Sequence, residues 1–132
     1  NFNPKLRKAE LFRLGYIAER SGHSTGAAVD LTLVDLSAPP QPPWVAGRLY
    51  ADCTADVALR APEGAVDMGT GYDCSDAKAH SAAAVSLAQR RWRRLLVGAM
   101  TRAGFVNYAK EWWHFSLPAA GGAAFDFPVT SR

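Results

Sequence analysis

The apolar positions along this chain change period several times, and each change marks an element. Residues Lys8–Leu14 read as a short helix, with Gly15 supplying the left-handed residue that closes it. Residues 16–18 read as a short extended piece. Over 28–36 the pattern switches to a period of two, rich in β-branched and leucine residues. A strand is predicted there, with Val29, Leu31 and Leu33 on one face and Asp30 and Thr32 on the other. The longest amphipathic stretch, 86–103, predicts a helix ending at Gly104, in which Trp92, Leu95, Leu96, Ala99 and Ala103 recur at helical spacing. Two strands are predicted after it, over 105–108 and 113–117, and 125–129 adds an edge piece. Segment 37–48 carries Pro39, Pro40, Pro42 and Pro43 and reads as an irregular or polyproline surface loop. It is an insertion rather than a domain boundary, because too few residues precede it to build a separate core. A second loop runs to about Asp76, and no internal repeat is present. The order helix, strand, loop, helix, strands predicts a single α+β domain, a small antiparallel sheet packed against helices.

Composition narrows the function classes. At 132 residues, 48% apolar and 20% charged, the chain is ordinary globular material for one domain. No stretch approaches the roughly 18 uninterrupted apolar residues of a membrane span. Residues 1–13 are polar and basic where a signal peptide would be hydrophobic. The net charge of +3 owes much to the run Arg90-Arg91-Trp92-Arg93-Arg94. That run reads as the solvated face of the 86–103 helix, not as a nucleic-acid patch. Two cysteines, Cys53 and Cys74, bracket a Pro- and Gly-containing segment without a Cys-x-x-Cys partner, so a thiolate zinc site is not expected. A disulfide between them is expected, closing a loop that contributes about 3 kcal/mol through the unfolded state. It implies an oxidising compartment, secreted or periplasmic, and two free thiols in the cytoplasm are the alternative.

Candidate chemistry lies in two polar clusters set far apart. One is Ser21-Gly22-His23-Ser24-Thr25-Gly26-Ala27-Ala28-Val29-Asp30, and the other is Glu111-Trp112-Trp113-His114. Together they offer two histidines and a carboxylate as metal ligands, with a second carboxylate three residues before the last histidine. A catalytic zinc site needs three such ligands, an open position for water, and a carboxylate to take that water's proton. Gly22 and Gly26 let the backbone curl so that His23 returns toward Asp30. His114 shares a strand face with Ser116 while Trp113, Phe115 and Leu117 face the core. Glu111 would fall on the wrong face of a regular strand, so it belongs in a turn or bulge at the strand's entry. Trp112 and Trp113 are placed to exclude solvent around it and raise its pKa. Taken singly, Asp30 also reads as a buried carboxylate paired with an arginine and Glu111 as a salt-bridge partner. His80 reads as a surface or capping residue without a role.

The same residues carry a resemblance. Gly15-Tyr16-Ile17-Ala18, the Ser21 to Leu33 run, Met68-Gly69-Thr70-Gly71-Tyr72-Asp73, Glu111-Trp112-Trp113-His114 and Phe125-Asp126-Phe127-Pro128-Val129 resemble, in order and rough spacing, the D-alanyl-D-alanine dipeptidases of the vancomycin-resistance (VanX) type. The resemblance implies a zinc metallopeptidase with a hedgehog/D-Ala-D-Ala peptidase-like fold and its zinc site on the sheet face. It implies one Zn²⁺ per chain held by His23, Asp30 and His114, with Glu111 as general base. It further implies Asp73 as the acceptor of the substrate's free amine and Ser21 as a residue orienting substrate or a ligand. The substrate class is a small dipeptide, with no nucleic-acid partner. The family has a further upstream segment with an active-site arginine, and no arginine here matches it. Arg20, though close in sequence to the site, is given no such role. The expectation is therefore one zinc peptidase domain over 1–132 that lacks an amino-terminal segment of the family. A zinc D,D- or L,D-carboxypeptidase trimming peptidoglycan stem peptides, or an inactive cell-wall peptide-binding module, are the competing readings.

Overall fold

The computed structural model describes residues 6–120 and 122–127. In chain order it holds helix α1 (Lys8–Leu14), strand β1 (Ala28–Asp30), helix α2 (Leu87–Arg102), strand β2 (Val106–Asn107) and strand β3 (His114–Ser116). Short 3-10 turns occupy Gly22–Thr25, Ala77–Ala79 and Pro118–Ala120. The three strands form one antiparallel sheet in the order β1-β3-β2. Its register pairs Ala28 with Ser116, Val29 with Phe115 and Asp30 with His114 on one side of β3, and Asn107 with Phe115 on the other. The α+β class expected from the sequence is the class observed.

Helix α1 ends as its glycine requires. Gly15 sits at φ +78°, its N–H reaches the Phe12 carbonyl at 3.0 Å, and the Tyr16 N–H reaches that of Leu11 at 2.9 Å. This paired closure satisfies two terminal carbonyls. It also turns the chain, so residues 16–18 bend where an extended piece was expected.

Strand β1 covers three residues, not the whole of 28–36. Its partner is the reason. The Leu31 N–H still reaches the Trp113 carbonyl at 3.1 Å, but the chain turns just before His114 and offers no further edge to pair with. Beyond that point the Leu33 carbonyl accepts from the Val66 N–H at 2.9 Å. Leu31 and Leu33 pack on the core as expected, whereas Val29, on the outer strand, stays exposed. Of the edge piece expected over 125–129, residues 125–127 form no ladder. The Phe125 N–H makes one bond to the Ser24 carbonyl, and the Phe125 and Phe127 rings stack at 5.5 Å. Residues 128 and 129 lie outside the described residues.

Helix α2 opens with a capping box. The Ser86 hydroxyl accepts from the Gln89 N–H at 3.2 Å, and the Gln89 side-chain carbonyl accepts from the Ser86 N–H at 2.9 Å. Its packed stripe is Trp92, Leu96, Val97 and Met100, while Leu95, Ala99 and Ala103 are exposed. The arginine run also departs from the solvated face expected of it, because Arg93 is only 3% exposed. Its guanidinium donates to three backbone carbonyls: Met68 at 2.8 Å, His80 at 2.7 Å and Lys78 at 3.0 Å. Those carbonyls belong to irregular segments with no strand partner, and a five-donor cation meets their need where an apolar side chain cannot. Burial pulls the Arg93 pKa down to about 10, so it stays cationic at neutral pH.

The core gathers around Met68, Leu96, Trp112, Trp113 and Phe115, with the Cys53–Cys74 disulfide among them. The expected bridge is therefore present, and it crosses 21 positions of irregular chain. Asp67 fastens the same region. It accepts from Arg60 at 2.8 Å, the Gly69 N–H at 2.9 Å and Gln89 at 2.7 Å. Among the described residues no helix is long and apolar enough to cross a membrane.

Two predictions follow from these buried polar networks. Arg93→Met should lower the unfolding free energy by at least about 3 kcal/mol, since each charge-assisted hydrogen bond lost is worth roughly 1.5–3 kcal/mol. Arg91→Met, on the exposed side, should stay within about 0.5 kcal/mol of the parent. Denaturant unfolding of both variants checks the contrast.

Burial opposes ionisation of Asp67, but hydrogen bonds from Gln89, Gly69 and Arg60 outweigh it and hold the pKa below the usual 3.8. A depressed folded-state pKa contributes stability that is complete above the unfolded value and is lost as pH falls through the folded one. Stability should accordingly drop below about pH 4. In Asp67→Asn that acid limb should be flatter, as read from denaturation midpoints across the pH range.

Candidate active site

A groove of about 860 Å³ lies over the sheet face that carries Asp30 and His114, and Ser21, His23, Asp30, Asp73, Glu111 and His114 all line it. The structure thus brings together every candidate the sequence nominated, from three separate stretches of chain.

Each is set by local chemistry. Ser21 precedes the Gly22–Thr25 turn, and its hydroxyl accepts from the His23 N–H at 3.3 Å. The Thr25 hydroxyl donates to the Gly22 carbonyl at 2.7 Å and accepts from the Ala27 N–H at 3.2 Å. Gly26, at φ +71°, then reverses the chain into β1. That tight return is what lets His23 face Asp30, seven positions on. Asp30 and His114 sit opposite each other in the β1–β3 register, so their side chains share one face. Phe115, with the alternate phase, is fully buried in the core.

Glu111 stands in a turn at the strand's entry, as its phase demanded. Its N–H reaches the Tyr108 carbonyl at 3.0 Å, and its own carbonyl accepts from the His114 N–H at 3.3 Å. Asn107 straps this turn down by donating to the Glu111 and His114 carbonyls, each at 3.0 Å. Tyr108 donates to the Gly15 carbonyl at 2.7 Å and Lys110 to that of Leu14, fixing the end of α1 to the β2–β3 hairpin.

The side-chain distances are short. His114 Nδ1 lies 2.8 Å from Asp30 Oδ1 and 3.8 Å from Glu111 Oε2, and His23 Nε2 lies 3.4 Å from Asp30 Oδ2. The two imidazoles meet edge to face at 4.8 Å. One donor atom from each of His23, Asp30 and His114 falls within 4.8 Å of the others. Donors around a tetrahedral zinc, at about 2.1 Å from the metal, stand about 3.4 Å apart. Asp30 Oδ1 is buried and, though close to His114, has no hydrogen-bond donor aligned on it. Two nitrogens and an oxygen of this kind, one of them with an unused lone pair, fit a borderline divalent cation.

The electrostatics follow from crowding. Burial pushes Glu111 up to about 7, against the lowering effect of His114 and with the help of Asp30 and Asp73. Asp73 is raised by burial and by Asp30, and His23 works the other way. Contact with the Asp30 carboxylate holds His114 above the usual imidazole value against the effect of burial. Asp73 also occupies the left-handed region, at φ +56°. That conformation costs a non-glycine residue about 1–3 kcal/mol and persists where the surroundings impose it.

Some lining residues were given no role from the sequence. Tyr16 lies in the groove wall, its hydroxyl 3.1 Å from Nε2 of His80, which also caps the Ala77–Ala79 turn, in keeping with the capping position expected of it. Tyr16 stood within a quoted motif, directly after the glycine cap, and that position was the available signal. Asn107 and Arg93 gave none, because their roles are contacts to backbone carbonyls, nearby in the β2–β3 turn for Asn107 and distant in sequence for Arg93. Arg13 lines the groove and pairs with Glu10 at 3.1 Å, whereas Arg20 does not line it.

Two histidines, an aspartate and a shielded glutamate around one groove are residue types that can hold a divalent metal and accept a proton beside it. The chain belongs to the D-ala-D-ala dipeptidase family, whose model matches residues 49–130. It is 38% identical over 129 residues to the D-alanyl-D-alanine dipeptidase of Streptomyces coelicolor, covering 96% of this chain and 52% of that protein. With the protein of the same name from Enterococcus faecium it shares 33% over 132 residues, covering 98% and 54%. With that of Escherichia coli K12 it shares 40% over 101 residues, covering 76% and 39%. The chain spans about half the length of the first two.

Asn107→Ala should loosen the turn that presents Glu111 and His114. The two bonds to that turn and a third accepted from the Ser81 hydroxyl, at roughly 0.5–1.5 kcal/mol each, predict a stability loss of about 1.5–4.5 kcal/mol. Thermal unfolding measures the loss, and faster amide exchange over residues 108–114 should accompany it.

Proposed function

We propose that this chain is a zinc-dependent dipeptidase that hydrolyses D-alanyl-D-alanine, with His23, Asp30 and His114 as the metal ligands and Glu111 as the general base. The observation that carries the reading is the convergence of three ligand-type side chains within 4.8 Å beside a buried carboxyl group. The names of the Streptomyces and Enterococcus relatives support the substrate.

Zinc bound at this site supplies a Lewis acid for the scissile carbonyl and a water acidified toward neutrality. The chain's own residues do the remaining work. Glu111 takes a proton during attack and returns it to the departing amine. A carboxyl group with a pKa of about 7 suits that exchange, because it neither holds the proton too tightly nor releases it too readily. Asp73 receives the substrate's terminal ammonium through a charge-assisted hydrogen bond. An amine-binding carboxylate at that end of the groove favours a free dipeptide over a longer stem peptide. Ser21, at the start of the His23 turn, orients substrate or ligand. Tyr16 and Tyr108 form the wall that keeps the reacting bond in place. The zinc site would lie on the face of the sheet shared by Asp30 and His114, within a single domain. The Cys53–Cys74 disulfide supports a working location outside the cytoplasm.

Glu111→Gln should retain one zinc per chain while losing about 10²–10⁴-fold in turnover, the usual contribution of a general base. His114→Ala should lose the metal. Elemental analysis after chelation and zinc restoration, together with release of free D-alanine, reads both. Stoichiometric metal in His114→Ala, or near-normal turnover in Glu111→Gln, would overturn the assignment.

A further inference from the structure

Asp73 is carried by a short segment that the chain fastens from behind. On its carboxyl side, Cys74 is bonded to Cys53, and both residues are buried. On its amino side, the Gly71 N–H donates to the Cys53 carbonyl at 2.7 Å, and the Tyr72 N–H donates to Glu63 Oε1 at 2.9 Å. Cys53 therefore holds the segment at both ends, through its sulfur and through its carbonyl. The fit leaves no slack, since a Cβ on Gly71 would stand 2.7 Å from Glu63 Oε1 and 3.4 Å from Cys53 Cβ. Between these anchors Asp73 adopts φ +56°, a left-handed region that few non-glycine residues occupy, though aspartate enters it more readily than most. A change to extended backbone would swing the carboxylate out of the groove it lines beside His23 and Asp30.

We propose that the Cys53–Cys74 bridge is a specificity device: it locks Asp73 in its left-handed conformation and so sets the enzyme's preference for a free terminal amine over a blocked one. The inference rests on the dipeptidase reading. Cys53 and Cys74 are positioning residues and touch no substrate. His23, Asp30, Glu111 and His114 all lie outside the segment the bridge encloses, so amine recognition is separable from metal binding and from the proton-transfer group.

The test compares the full chain with Cys53→Ala/Cys74→Ala on two substrates, D-alanyl-D-alanine and its N-acetyl derivative, alongside zinc content. A misplacement of about 1 Å at a positioning group can cost on the order of 100-fold. The double variant should therefore keep stoichiometric zinc, raise KM for the free dipeptide roughly 10- to 100-fold with a smaller fall in kcat, and change the acetylated substrate by less than about twofold. Preference for the free amine then shrinks. Unchanged preference in a variant that retains its zinc overturns the proposal. Hydrogen exchange on the unaltered protein supplies a second reading, needed if the double variant does not fold. The Gly71 and Tyr72 amides should be protected to the level of the α2 amides, and loop-like exchange would overturn the proposal. If the unaltered, zinc-loaded protein cleaves neither substrate, the dipeptidase reading fails by itself, and the exchange measurement still decides whether the segment is clamped.

Discussion

Everything at the candidate active site depends on the register between β1 and β3. Asp30 faces His114 only because Val29 faces Phe115 and Ala28 faces Ser116. A slip of one residue would turn Asp30 toward the core and carry a valine into the groove. What prevents the slip is apolar burial on the far side of the same short strand. Phe115 is wholly enclosed, flanked by Trp112 and Trp113, and it fits the core in one phase only. The polar face is thus positioned by the apolar one. Glu111 inherits its place in turn, because the hairpin that delivers His114 cannot be shifted without moving it.

Much of this was legible in the sequence where a local rule applied. Helix α1 with its Gly15 closure, the long helix beginning at Ser86, and the alternation that set His114 against Phe115 each follow from rules that act over a few residues. Glycines and strand phase also anticipate the meeting of His23, Asp30, Glu111 and His114, whereas Ser21 and Asp73 enter as site residues only through the family resemblance. Readings that needed a partner fared differently. The strand expected over 28–36 stopped after Asp30 because β3 has no further edge to give. By spacing Arg93 belongs with its exposed arginine neighbours, and what buries it is a set of carbonyls from segments 13–25 positions earlier. No periodicity along the helix encodes those carbonyls.

The groove has a charge arrangement at odds with the chain as a whole. The protein carries a net charge of +3, yet Asp30, Asp73 and Glu111 gather in one concavity, where burial and the neighbouring carboxylates raise the pKa of Asp73 and Glu111. Carboxylates forced together in a poorly hydrated place either hold protons or gather cations. His23 and His114 alone leave that balance incomplete. A divalent ion at one end and a substrate ammonium at the other would complete it, and the same crowding that is a cost to the bare fold becomes a source of affinity.

Because the β1–β3 pairing joins segments near opposite ends of the described chain, the order of synthesis has its own consequence. A ribosome releasing this polypeptide exposes His23 and Asp30 long before Glu111 and His114 exist. The sheet order β1-β3-β2 makes the last strand the central one, so the first strand has nothing to pair with until it arrives. A chain that stops short of that strand therefore carries His23 and Asp30, two of the three candidate ligands, without His114 or the Glu111 carboxyl group beside them. The candidate site is therefore assembled only once the segment carrying Glu111 and His114 has emerged to pair with β1.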